Sequence, residues 1–133
     1  MKSEKLTPFA PVVLRITLSI VYLWFGISQI TRPEMWTTIV PSWAILPGMS
    51  ADVIVHLNGY FEIIAGILLV LGIAVRPVAL LLFLHMLPIV YSMGLGAIGI
   101  RDFGLSFATF AVFLYGADRY SLKLGNSVRS TGE

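Results

Sequence analysis

Four apolar stretches, each near the length that crosses a bilayer, occupy most of this 133-residue chain and leave only short connections between them. A helix needs about 20 residues to cross roughly 30 Å of hydrocarbon. The first stretch runs from about Val12 to Thr31, after Pro8 and Pro11 and before Pro33. The second runs from about Asp52, an N-cap region, to Val75, where Arg76-Pro77 stops it because the residue before a proline is pushed out of the helical region. Pro77 suits a first helical turn and opens the third, which reaches about Met93. The glycine-rich break Gly94-Leu95-Gly96-Ala97-Ile98-Gly99 precedes the fourth, from about Ile98 to Gly116. Composition agrees: 57% of residues are hydrophobic and 12% charged, about half the roughly 25% charged residues of a soluble domain. A soluble globule this small keeps too much surface in water to hide that much apolar area. The expectation is an all-α integral membrane protein, a single domain over residues 1–133 folded as an antiparallel four-helix bundle.

The longest connection, Arg32 to Ala51, joins the first two spans and holds Trp36, Trp43, Pro33, Pro41 and Pro47. It reads as an interfacial segment with its indoles at headgroup level. Anchoring is the reading preferred for the tryptophans, over a lid closing an outward-facing pocket. Lys2, Lys5, Arg15, Arg76, Arg119, Lys123 and Arg129 fall on one side of the four-span arrangement, and Arg32 and Arg101 on the other. The excess of positive charge predicts a multi-pass protein of the cell (inner) membrane with both termini cytoplasmic. Arg15 interrupts the first apolar run and no small-x-small site follows it, which argues against a cleaved signal peptide. The net charge of +2, with no basic tract, argues against a nucleic-acid partner. The absence of cysteine excludes disulfides, covalent c-type haem and thiolate-held metal centres, so redox chemistry would need a borrowed cofactor or a bound quinone.

Ionisable groups inside a span cost several kcal/mol unless they face protein or water, which makes Arg15, His56, Glu62, His85, Arg101 and Asp102 the informative positions. Arg15, Ser19, Tyr22, Gly26 and Gln29 form one stripe on the first span; Gly59, Glu62 and Gly66 form another on the second, with Asn58 a turn from Glu62. Asp102, Ser106, Thr109, Phe113 and Gly116 form a third on the fourth span. Together they describe a bundle with a polar interior. At about 1.5 Å per residue, Glu62 and His85 lie roughly 12 to 15 Å from the outer surface and can meet. His56, Arg101 and Asp102 share a shallower level, roughly 6 to 8 Å down, and are expected to form a connected network. The two histidines differ too much in depth to serve as axial haem ligands, and no metal site is expected. Glu62 is either a carboxyl held by His85, Asn58 or Arg101, or a proton carrier or ligand contact. Arg15, near the cytoplasmic end, is expected to snorkel, and Arg101-Asp102 to fix the start of the fourth helix.

These residues resemble the DoxX family of small four-helix membrane proteins. The resemblance is carried by Leu14-Arg15, Trp24-Phe25-Gly26-Ile27-Ser28, Glu62-x-x-x-Gly66 with Leu71-Gly72 and Arg76, Arg101-Asp102-x-x-Leu105, and the tail Tyr115-Gly116 to Tyr120-Ser121-Leu122. Family members often carry Lys where Gln29 stands and an acidic residue where Lys123 stands. The resemblance implies a partner-dependent subunit of a membrane redox complex, with a redox partner protein and a quinone-sized cleft near Glu62, His85 and Tyr91. The alternative is a small-molecule permease or channel element acting as a homo-oligomer. Whether the chain is itself catalytic stays open.

Overall fold

The computed structural model describes residues 5–123. They form α1 (Ala10–Thr31), a single turn α2 (Glu34–Thr37), α3 (Ala51–Leu71), α4 (Val75–Met93) and α5 (Ala97–Tyr115), with short 3-10 turns at Thr7–Phe9 and Ser42–Ala44. Four of the helices are long and apolar enough to span a membrane. α1 packs on α3 and α4 on α5, and the α3–α4 and α1–α5 contacts close the ring. One end of the bundle, the terminus end, holds the start of α1 and the end of α5. The opposite, loop end carries the Trp/Pro connection between α1 and α3. Lys2 and Arg129, counted in the charge argument above, lie outside the described residues.

The polar stripes face inward. Arg15, Ser19, Tyr22, Gly26 and Gln29 are all buried on α1, as are Gly59, Glu62 and Gly66 on α3 and Asp102, Ser106 and Thr109 on α5. Leu18, Tyr22, Leu69, Ala79 and Leu82 make the apolar core between them. α1 and α3 approach until their backbones nearly touch. A Cβ on Gly26 would stand 2.7 Å from the Gly59 carbonyl oxygen, closer than any side chain allows. Glycine at this pair is a steric requirement of the crossing.

Helix ends depart from expectation in three places. Ser50, not Asp52, caps α3, its hydroxyl accepting the Val53 N–H at 3.3 Å while Asp52 sits in the first turn. α3 stops at Leu71 rather than Val75, because Gly72 takes a left-handed φ of 71° and lets the amides of Gly72 and Ile73 reach the Leu69 and Leu68 carbonyls, at 3.0 and 2.9 Å. This closing pair satisfies carbonyls that would otherwise be stranded. Arg76-Pro77 therefore lies in the first turn of α4, where a proline sacrifices no intrahelical bond. Pro11 likewise sits inside the first turn of α1.

Arg15 does not snorkel. Its side chain is 1% exposed and its Nε donates to Asp118 Oδ2 at 2.6 Å, with Nη2 donating to Oδ1 at 3.2 Å. Nη1 donates to the carbonyls of Leu69 and Val70, in the last turn of α3. A cation at a helix C-terminus also meets the negative end of the helix dipole. Asp118 lies in the segment after α5, which folds across the terminus end and pairs its Leu122 amide with the Leu71 carbonyl at 3.1 Å. Burial pushes the Asp118 carboxyl up, but hydrogen bonds from Arg15, the Tyr120 amide and Ser121, with the guanidinium charge, outweigh it and hold the group below its ordinary value.

A carboxyl depressed in the folded state stabilises above its unfolded pKa, and that stability is lost as pH falls through the folded value. The melting temperature of the protein in detergent should therefore drop as pH falls below about 4. Asp118→Asn should melt lower at neutral pH and lose less over the acidic interval. Asp118→Ala, which strands a buried guanidinium, should destabilise by about 3–5 kcal/mol.

Candidate functional site

The inward stripes do not close at the loop end. There the bundle opens into a cavity of about 520 Å³ whose polar wall is Gln29, Asn58, Glu62, His85, Arg101 and Asp102. Trp24, Trp36 and Trp43 supply much of the aromatic wall. These are all the tryptophans of the chain. Trp36 is fixed by its indole N–H, which donates to the Ser28 hydroxyl at 3.1 Å, and by the edge of Phe25. The connection between α1 and α3 thus lines a pocket.

Glu62 is the deepest charged group of the cavity and 3% exposed. Its Oε2 accepts from Gln29 Nε2 at 2.9 Å, and Gln29 Oε1 accepts from Asn58 Nδ2 at 2.8 Å. One amide on α1 therefore ties together two side chains a turn apart on α3. Across the cavity, His85 Nε2 stands 3.6 Å from Glu62 Oε1, too long for a direct hydrogen bond. That nitrogen is buried and has no hydrogen-bond partner. Phe61 packs against the imidazole at a centroid distance of 4.7 Å. Nearby, Arg101 donates to Asp102 Oδ1 from Nε at 2.8 Å, and its guanidinium lies over the Phe25 ring at 5.5 Å.

Glu62, Asn58 and His85 come together as expected, with Arg101 and Asp102 on the same cavity. His56 and Tyr91 do not join them. His56 donates from Nδ1 to the Asp52 carbonyl at 2.8 Å, with the Asp52 carboxylate 3.4 Å away, so the expected network reduces to Arg101 and Asp102. Tyr91 is 82% exposed. Both residues stand six positions from a cavity residue, His56 from Glu62 and Tyr91 from His85. Six residues turn an α-helix by about 600°, which leaves the two side chains about 120° apart. Asp102 does not cap α5 either: the helix starts at Ala97 after Gly96, with no side-chain cap, and Asp102 lies in its second turn.

Gln29 lines the cavity but was not among the candidate site residues read from the sequence. Its place on the α1 stripe, and the cost of an amide in hydrocarbon, were the available signals. Pro88, which lines the cavity, is another; a proline inside an apolar span leaves the carbonyl a turn before it without a partner amide.

A family model for DoxX matches residues 10–95, from α1 through α4. The chain belongs to the DoxX family. No curated relative and no solved structure matches it. The DoxX segment carries Gln29, Asn58, Glu62 and His85, whereas Arg101 and Asp102 lie on α5, beyond it. Among the described residues no group of three or more His, Cys, Asp or Glu side chains is placed to hold a metal ion. What this DoxX cavity offers is a carboxyl and an imidazole 3.6 Å apart at the bottom of an aromatic pocket.

Replacing Glu62 separates its hydrogen-bonding role from its charge. Glu62→Gln keeps an acceptor for Gln29 and should melt close to the native protein, whereas Glu62→Leu strands the Gln29 amide and should cost about 1–3 kcal/mol. Thermal melts of the purified variants in one detergent check this; equal stability would contradict a buried network.

Proposed function

We propose that this DoxX protein is a partner-dependent subunit of a quinone-linked membrane redox complex and that its cavity receives the ring of the quinone. The observation that carries the reading is His85 Nε2, a buried nitrogen without a partner, facing Glu62 across an aromatic pocket. Ligand pockets are mostly apolar, with a few convergent polar groups, and occupy about 300–1,000 Å³. A cavity of about 520 Å³ walled by three indoles suits a flat ring with polar oxygens.

A quinone–quinol couple supplies two-electron, two-proton chemistry when bound. In this chain, His85 Nε2 binds a ring oxygen, donating to a carbonyl or accepting from a hydroxyl. Glu62 exchanges the proton with His85, and Gln29 and Asn58 hold the carboxyl in position for it. Released protons leave through the loop end. A redox centre exchanging the electrons would belong to the partner, since a chain without cysteine has no thiolate to hold one. We place the protein in the cell membrane with both termini cytoplasmic, supported by Lys5, Arg76, Arg119 and Lys123 at the terminus end against Arg32 and Arg101 at the loop end. The cavity then opens on the outer face.

A permease needs a path to the terminus end. Tyr22, Leu69 and Leu82 are fully buried on that side of the cavity, and Arg15 with Asp118 fills the end beyond them. This packing favours a closed-bottomed binding site over a conduit.

Solvent extraction of protein purified from its own membranes in mild detergent tests the proposal. Close to one quinone per chain is expected, falling about tenfold in His85→Leu, as the loss of one buried hydrogen bond implies. Equal traces from both proteins would sink it.

A further inference from the structure

Besides the cavity, the bundle has a second opening, along the seam between α1 and α5. It is an apolar groove of about 590 Å³, bounded by Ile20 and Trp24 on α1 and by Gly104 and Ala108 on α5. Trp24, Phe25 and Arg101 line both the groove and the cavity, so the two spaces meet at these side chains. Gly104 and Trp24 each lie seven residues from the loop end of their helices, from 97 to 104 and from 31 back to 24. Both are therefore about 10 Å below that end, at a depth where the open side of the seam faces lipid chains.

The groove is open because of what Gly104 lacks. Gly26, Gly59 and Gly66 are glycines because a neighbouring helix stands against them, whereas a Cβ on Gly104 would meet nothing within 4 Å. No helix contact requires glycine there. On its inner side the seam is bridged by the Tyr22 hydroxyl and Thr109 Oγ1, which share a hydrogen bond of 2.7 Å between α1 and α5. At the upper end Arg101 would be a barrier to an apolar chain, but its charge is paired with Asp102 at 2.8 Å and its face lies on Phe25.

We infer that this seam is the track for a single hydrocarbon chain, isoprenoid or alkyl, attached to the ring that the cavity holds. The inference rests on the quinone reading above and adds to it the class of molecule, a long-chain amphiphile entering sideways from the bilayer. Continuity of a polar pocket with an apolar groove open to lipid is what singles out this occupant. A chain gains nothing by leaving lipid for an equally apolar groove, so the groove acts by shape and holds the ring in register.

The three tryptophans beside the cavity provide the readout, because a bound quinone quenches indole fluorescence. Two probes are titrated into the protein in lipid nanodiscs: a tailless dimethoxy-benzoquinone and the same ring carrying a decyl chain. The ratio of their dissociation constants is compared between native protein and Gly104→Phe, with Gly104→Leu in reserve should the bulkier variant fail to fold. Leu81→Phe, on an exposed face of α4, controls for a change in lipid partitioning. Filling the groove should weaken the decyl probe about tenfold relative to the tailless ring, the scale of an overpacked contact, while Leu81→Phe leaves the ratio alone. An unchanged ratio in Gly104→Phe overturns the inference and leaves the cavity reading standing. If Gly104→Phe instead splits a dimer without moving the ratio, the groove belongs to a second copy and the inference also falls. Absence of quenching by either probe in the native protein defeats the cavity reading, and the inference with it.

Discussion

Hydrocarbon offers no water to a buried polar group, so every charge and amide inside this bundle must find its partner on another helix or on the backbone. Most of the architecture follows from that constraint. At the terminus end Arg15 is matched by Asp118 and the last carbonyls of α3. Midway, Tyr22 is matched by Thr109. At the loop end Glu62 is matched by Gln29, and Gln29 by Asn58. Each pairing joins different helices or joins a helix to the folded tail, so the polar interior sets which faces meet as well as being tolerated. Against that background His85 Nε2, 3.6 Å from Glu62 Oε1 and without a hydrogen bond, is the exception, and it faces the cavity.

The two ends of the molecule are built to different ends. The terminus end is sealed: the tail after α5 returns to the α3 terminus, and the Arg15–Asp118 pair lies under it. The loop end is held open by its connection, with Trp36 and Trp43 against a cavity rather than packed into a core. The seams differ in the same way. α1 meets α3 at backbone contact through Gly26 and Gly59, while α1 and α5 leave a groove beside their Tyr22–Thr109 bond. One helix thus carries a tight seam and an open one.

Much of this was legible in the residues, for definite reasons. Helical periodicity alone aligned Arg15, Ser19, Tyr22, Gly26 and Gln29, and all five are buried. Depth counted from the loop end brought Glu62 and His85 to one level, and they face each other. Depth says nothing about rotation around the helix, which is why His56 and Tyr91, at reasonable levels, turned out on other faces. Arg15 was misread because its partner lies 103 residues away, in a segment outside any span. Gly72 ended α3 before Arg76-Pro77 could, since a left-handed glycine closes the carbonyls while a proline in a first turn is simply helical. The DoxX resemblance was readable from motifs, and the family match over residues 10–95 bears it out. The proposed redox role depends on a ligand, which the residue pattern does not specify.

The central claim is that His85 is the group left unpaired for a ligand oxygen. The chain has only two histidines, so His56→Gln leaves a single imidazole to observe. Nitrogen-15 NMR of histidine-labelled protein, with and without the tailless benzoquinone, reads that imidazole directly. The account predicts that the Nε2 resonance of His85 moves to a hydrogen-bonded position in step with tryptophan quenching. A resonance that stays in place at a quinone concentration where the quenching is complete would contradict it.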